Sequence, residues 1–152
     1  MRSKRKKLNR DLLDAVVMCD IAKVQDLLNR GADVDARDDE HCETPLILAA
    51  KFADPAIVRL LLNNNAEVDA RDDKGRTALF FASLQSEAFK ELIEAGANIH
   101  ARDEEGNTIL LQVAVDSVEN FVILQRKSPA QLRSRFPPHH RTLDATNRAA
   151  PR

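Results

Sequence analysis

His41, Cys42 and Glu43 are consecutive in the sequence and have the side-chain types of a nucleophilic active site. A catalytic cysteine needs a base and a pocket that shields it from water. The surrounding pattern places these residues at the tip of a turn, where adjacent side chains are poorly placed to form such a pair. A zinc site would combine His41 and Cys42 with His139 and His140, but the sequence lacks C-x-x-C and H-x-x-x-H spacing. We therefore predict no catalytic residues, no metal site and no cofactor, and expect that the protein is not an enzyme.

Paired carboxylates are the second group of residues with chemical potential, as metal ligands or as an acid and a base. They occur at 38–39, 72–73 and 103–105. The spacing of a calcium-binding loop is absent. No glycine-rich phosphate loop is present either. Because the pairs recur at a regular interval, we interpret them as an acidic ridge along successive turns and not as a catalytic cleft.

That interval belongs to a segment that occurs three times. It reads GADVDARDDEHCETPL at 31–46, NAEVDARDDKGRTAL at 65–79 and GANIHARDEEGNTIL at 96–110. The Ala-Arg-Asp core lies at 36–38, 70–72 and 101–103, so successive copies are 34 and 31 residues apart. Self-similarity at a period near 33 residues is typical of a solenoid of stacked units.

Each copy of the segment suits the junction between two helices. Residues that tolerate left-handed backbone end the preceding apolar run, at Gly31, Asn65 and Gly96. Threonines that can cap the next helix follow, at Thr44, Thr77 and Thr108. Single apolar residues pack the loop onto the array, at Val34, Val68 and Ile99. Gly75 and Gly106 suit tight turns. Asp11, Asp20 and the Asp54-Pro55 pair are further candidates for helix starts.

These residues give the chain a family resemblance. The stretch TPLILAA at 44–50 resembles the Thr-Pro-Leu-His-x-Ala signature of ankyrin repeats, and residues 77–82 and 108–114 match it more loosely. The second-helix pattern of that family appears at 24–28 and 58–62. Ile47, Phe80 and Leu111 replace the usual histidine, so we expect packing there instead of polar bonding. The resemblance covers residues 8–124 and implies an all-α solenoid of helix-turn-helix units joined by β-turn loops.

The resemblance divides the chain into six segments. We expect a basic disordered N-terminus at 1–7, an N-terminal capping repeat at 8–37, full repeats at 38–71 and 72–102, a partial fourth repeat at 103–126, and a basic, proline-containing disordered tail at 127–152. The second repeat has one extra residue near 40–42. The third is two residues short near 84–87, with Phe89, Leu92 and Ile93 still facing inward. As an alternative to a disordered tail, Leu132 and Phe136 would fold back and cover the exposed end of the array.

Charge is strongly segregated although the net charge is −1. Residues 1–10 hold six basic residues and no acid, and residues 125–152 hold seven basic residues and one acid, which leaves 10 of the 23 basic and 23 of the 24 acidic residues between them. An acidic body is not typical of a duplex-binding domain. Two cysteines in different repeats favour a reducing compartment. The sequence has no 18-residue apolar run, and we expect no signal peptide. We expect an intracellular protein, cytoplasmic or, from its basic N-terminus, nuclear.

The resemblance implies a protein-interaction scaffold. Its concave face would be formed by hairpin tips and the outward positions of first helices. The tips are Glu40, His41, Glu43, Asp73, Lys74, Arg76, Glu104, Glu105 and Asn107, and the helix positions are Val17, Met18, Lys51, Phe52, Leu84, Gln85, Val115 and Asp116. Met18 and Phe52 would instead be structural if they pack inside the stack.

The expected partner of the scaffold is a protein with basic and apolar anchors. The scaffold itself is expected to be a monomer without a small-molecule substrate. Two alternatives stay open. One is a truncated remnant array without a specific binding role, and the other is an enzyme, or a nucleic-acid binder that uses its basic ends.

Overall fold

The computed structural model describes residues 2–52, 54–82 and 86–109 of the chain. Its helices are α1 Arg2–Val17, α2 Ile21–Asn29, α3 Pro45–Phe52, α4 Pro55–Asn63, α5 Ala78–Ala82 and α6 Ser86–Glu94. Within these ranges there is no β-strand, and the pairing of Arg102 with Thr108 is an isolated antiparallel bridge. The predicted all-α architecture is therefore confirmed for the described residues.

The helices are arranged in two layers. Helix α3 packs against α1 on one side and α5 on the other, while α4 packs against α2 and α6 in the same way. Each first helix also packs against the second helix of its own pair, as in α1 with α2. The first helices thus form one layer and the second helices the other, with the hairpin loops preceding α3 and α5.

A continuous apolar core lies between the layers. Its largest fully buried side chains are Leu12, Val16, Val24, Leu46, Ile47, Ile57, Leu61, Leu79, Phe89, Leu92 and Ile109. Ile47 and Phe80 are 0% and 3% exposed, so the predicted packing in place of the family's histidine is confirmed at both. Leu111 lies outside the described residues. Phe89, Leu92 and Ile93 contact the core as predicted, whereas most of the shortened turn before them is not described.

The predicted helix boundaries are largely confirmed. Gly31, Asn65 and Gly96 have φ angles of 88°, 62° and 91°. The carboxylates of Asp20 and Asp54 accept N–H groups at the starts of α2 and α4. Thr44 Oγ1 accepts the N–H of Ile47 at 3.3 Å. The Oγ1 of Thr77 is different, because it is buried without a hydrogen-bond partner among the described residues.

The N-terminus differs from the prediction. Residues 2–7, expected to be disordered, form the first turns of α1, so that helix begins at Arg2 and not at Asp11. Lysine and arginine are good helix formers. The buried Leu12 and Val16 fix the C-terminal half of α1, and adding a residue to an existing helix is much easier than starting one. The helix therefore extends beyond the packed body of the array.

Candidate functional site

One aspartate organises each hairpin loop from inside. Hairpin 1 comprises residues 38–43, hairpin 2 comprises 72–76 and hairpin 3 comprises 103–107. In hairpin 2, Asp72 Oδ1 accepts the N–H groups of Lys74 and Arg76 at 3.0 and 2.8 Å. Asp38 in hairpin 1 and Asp103 in hairpin 3 accept backbone N–H groups in the same manner. The first carboxylate of each predicted pair is thus a structural acceptor, and the acidic surface is formed by the residues that follow it.

The arginines of the first two Ala-Arg-Asp cores join neighbouring hairpins. Arg71 Nη1 donates to the carbonyl oxygen of Gly75 in its own hairpin at 3.1 Å and to that of Arg102 in the next repeat at 2.8 Å. Arg37 makes the equivalent bonds to Cys42 and Arg71. Arginine can do this because its guanidinium group presents several donors in a fixed plane.

Two further sets of hydrogen bonds run from repeat to repeat. At the tips, Asp73 N–H donates to the His41 carbonyl, and Glu104 N–H to the Lys74 carbonyl, each at 2.9 Å. At the base, Glu67 N–H donates to the Asp35 carboxylate at 2.8 Å, and Asn98 N–H to the Asp69 carboxylate at 2.9 Å. The hairpin tips are therefore held as one row and not as independent loops.

Helix α1 supplies the first acceptor in the set of hydrogen bonds at the base. Asn9 Oδ1 accepts the N–H of Asp33 at 3.0 Å, as Asp35 does for Glu67 in the next repeat. At the other end, His100 occupies the position of Asp35 and Asp69 in its copy of the segment. Asn9 is therefore a capping residue for this set of bonds.

The triplet at 41–43 does not form a catalytic group in this structure. His41 Nδ1 lies 3.6 Å from Asp73 Oδ2 in the next hairpin, the thiol of Cys42 is free and exposed, and Glu43 pairs with Lys51 Nζ at 2.9 Å. Each of the three side chains has a different environment. In the part of the chain that the structure describes, no group of three or more histidine, cysteine or acidic residues is placed to hold a metal ion.

Cys42 has an unusual backbone conformation. The extra residue of hairpin 1 brings Cys42 to the position that Gly75 and Gly106 occupy in the other two hairpins. All three residues have positive φ angles, of 55°, 74° and 81°. A side chain is unfavourable in this conformation, so hairpin 1 carries strain that the other two hairpins avoid.

Two cations cover one aromatic ring between repeats two and three. Lys51 Nζ lies 5.6 Å and Arg76 Cζ lies 4.7 Å from the centroid of Phe81. Arg76 Nη2 also pairs at 2.7 Å with Asp72, whose side chain is 0% exposed, and Lys51 pairs with Glu43, whose side chain is 3% exposed. The two buried carboxylates thus hold both cations above the ring. Phe81 was not among the predicted site residues, because its two cations come from different repeats.

The other predicted site residues are mostly at the surface. Exposed side chains are those of Val17, Met18, Glu40, His41, Lys51, Phe52, Asp73, Lys74, Glu104, Glu105 and Asn107. Met18 is 80% and Phe52 is 46% exposed, so neither is packed inside the stack. Glu43, only 2% exposed, and Arg76, partly buried, shape the surface from beneath. Leu84, Gln85, Val115 and Asp116 lie outside the described residues.

The carboxyl of Asp103 has a shifted pKa. Loss of solvent acts to raise it, but hydrogen bonds from Asn107 and Glu105 and the nearby charge of Arg76 outweigh this and hold the pKa below its usual value. The hairpin therefore favours the ionised form of the aspartate that organises it.

Paired helices stacked in two layers, with hairpins tied edge to edge, define this protein as a repeat solenoid. Residues 12–103 match the family model for ankyrin repeats, in three copies. The chain belongs to the ankyrin-repeat family, whose repeats generally mediate protein–protein interaction and are typically non-enzymatic. About four repeats were predicted, and the predicted partial fourth begins where this match ends.

No curated protein matches the sequence significantly. Among the described helices, none is long and apolar enough to cross a membrane.

Proposed function

We propose that this protein is a non-enzymatic scaffold that binds a protein partner across its concave face. The observation that carries the proposal is the exposure of Met18 and Phe52, which occupy equivalent positions at the ends of α1 and α3. Helix α3 has eight residues and is therefore about 12 Å long. The apolar positions and the hairpin tips are thus separated by about one short helix, within reach of a single partner.

The chemistry of this face supports a mixed interface. Apolar side chains and the cation-covered ring of Phe81 lie along the helices, and exposed acidic residues such as Asp73 and Glu104 lie at the tips. Protein interfaces commonly combine an apolar centre with a polar rim. A partner with apolar anchors and basic side chains fits this arrangement. The free, exposed cysteines Cys19 and Cys42 are consistent with an intracellular setting.

The test is affinity capture from host lysate with three forms of the intact chain as bait. Phe52→Glu introduces a charge on the concave face. Ile21→Glu is a matched control, because Ile21 is 42% exposed on a second helix, outside that face. We expect the parent chain and Ile21→Glu to retain the same protein and Phe52→Glu to lose it. A cooperative thermal transition of each bait confirms that all three are folded. Equal retention by all three baits rejects the concave face as the site, and no specific protein on a folded parent favours the remnant alternative.

A further inference from the structure

A groove separates the N-terminal half of α1 from hairpin 1. It encloses about 480 Å³ and is lined by Lys6, Asn9, Arg10, Leu13, Asp14, Arg37, Asp38, Asp39 and Glu40. It exists because α1 extends beyond the packed body, so that its first turns stand opposite the hairpin. Since α1 is a first helix, the groove continues the concave face toward the N-terminal end of the array.

The groove has walls of opposite charge. Lys6 and Arg10 provide the positive wall from α1, and Asp39 and Glu40 provide the negative wall from hairpin 1. All four side chains are exposed, and none forms an ion pair within 4 Å among the described residues. Leu13, 9% exposed, contributes an apolar floor between them.

Three other polar residues of the lining already have structural partners. Arg37 bonds to two backbone carbonyls, Asp38 accepts two backbone N–H groups, and Asn9 accepts the N–H of Asp33. These groups hold the groove in shape. The charges left for a ligand are therefore Lys6, Arg10 and Asp14 on α1, with a net positive charge, and the acids of hairpin 1 opposite them.

We propose that this groove binds a segment of the partner polypeptide that carries acidic and basic side chains close together. Its acid meets Lys6 and Arg10, and its base meets Asp39 and Glu40. This proposal rests on the proposed function because it assumes a protein partner. It concerns different residues from those tested by the lysate capture, so the two can fail separately. Nucleic acid is disfavoured because Asp14, Asp39 and Glu40 would repel phosphates. A purely basic peptide is disfavoured because Lys6 and Arg10 would repel it.

The experiment is a selection of random 12-residue peptides displayed on phage against the immobilised intact chain at low ionic strength. Enriched peptides are synthesised with a fluorescent label, and their affinities are measured by anisotropy. We expect peptides with at least one acidic and one basic residue. Because Lys6→Glu/Arg10→Glu turns two attractions into repulsions, we expect about tenfold weaker binding. Asp39→Lys/Glu40→Lys should weaken binding by a similar factor.

The control is Lys4→Glu/Arg5→Glu, which makes the same change of charge on the same helix outside the groove lining. It should change affinity less than about twofold. The proposal is overturned if this control weakens binding as much as Lys6→Glu/Arg10→Glu, if enriched peptides carry charge of one sign only, or if none is enriched. Phe52→Glu should leave peptide binding unchanged, so the result is independent of the lysate capture. Tighter binding to a labelled DNA duplex than to any peptide also overturns it.

Discussion

Replacing Cys42 by glycine should stabilise the protein. Left-handed backbone costs an L-amino acid about 1–2 kcal/mol relative to glycine. Glycine in turn costs about 0.5–1 kcal/mol through its greater freedom in the unfolded chain. With φ at 55° for Cys42, the net gain for Cys42→Gly is about 0.5–1 kcal/mol.

The equivalent glycines of the other hairpins extend the prediction to a graded series. A Cβ on Gly106 would meet no atom within 4 Å, so Gly106→Ala should cost about 1 kcal/mol for conformation alone. A Cβ on Gly75 would lie 3.2 Å from the backbone nitrogen of Glu104 and 3.3 Å from its Cγ. Since that nitrogen donates to the Lys74 carbonyl, Gly75→Ala should cost more, about 1.5–2.5 kcal/mol.

The assay is urea and thermal unfolding of the parent chain and its variants, monitored by circular dichroism at 222 nm. Cys42→Gly should raise the melting temperature by about 2–5 °C. Cys42→Ala is the control for loss of the thiol, because alanine retains the Cβ, and it should be close to neutral. The reasoning is refuted if Cys42→Gly lowers the urea midpoint, or if Gly75→Ala and Gly106→Ala have equal effects.

Three further predictions concern the aspartates. Asp72→Ala should lower the free energy of unfolding by about 2–3 kcal/mol, since it removes a buried acceptor and leaves a cation unpaired; a loss below about 0.5 kcal/mol in urea unfolding would contradict this. Asp69→Ala should lower the free energy of unfolding by about 1 kcal/mol, because the N–H of Asn98 loses its acceptor. The control, Asp26→Ala, removes an exposed ion pair and should lower it by less than about 0.5 kcal/mol. Equal losses would refute a stabilising role for the hydrogen bond between Asn98 and Asp69. Because the folded pKa of Asp103 is lowered, its contribution is present above the unfolded pKa of about 3.9 and is lost as pH falls through the folded value; Asp103→Asn should flatten this part of the stability profile, and an unchanged profile would disprove it.

Local features of the fold were predictable from the sequence. Gly31 and Asn65 at helix ends, and Asp54 at a helix start, act through backbone within a few residues of themselves. Such effects depend on chain chemistry and not on distant packing. The 34-residue spacing of the first two copies then fixes which segments are equivalent, and so the architecture.

Features that depend on several repeats were not predictable. Glu43 carries a charged side chain of the kind usually found at the surface, but it is buried and pairs with Lys51 from the following helix. The covering of Phe81 by two cations requires side chains from two repeats to converge. The helical state of residues 2–7 depends on how firmly the rest of α1 is packed, and composition alone indicated a disordered tail.

The bonds between hairpins have a direction. In the tip and base sets, each repeat turns backbone N–H donors toward the preceding repeat and acceptors toward the following one, as Asn98 and Asp69 illustrate, whereas the bonds of Arg37 and Arg71 run in the opposite direction. A tandem duplication of residues 38–71 would therefore recreate every bond between hairpins at the new junction, since each copy presents both complementary edges. The array is thus open to growth by whole units, and an added unit would lengthen the recognition surface without altering the existing one. Insertion of a segment without these complementary edges would interrupt the row of hairpins and lower the stability of the fold.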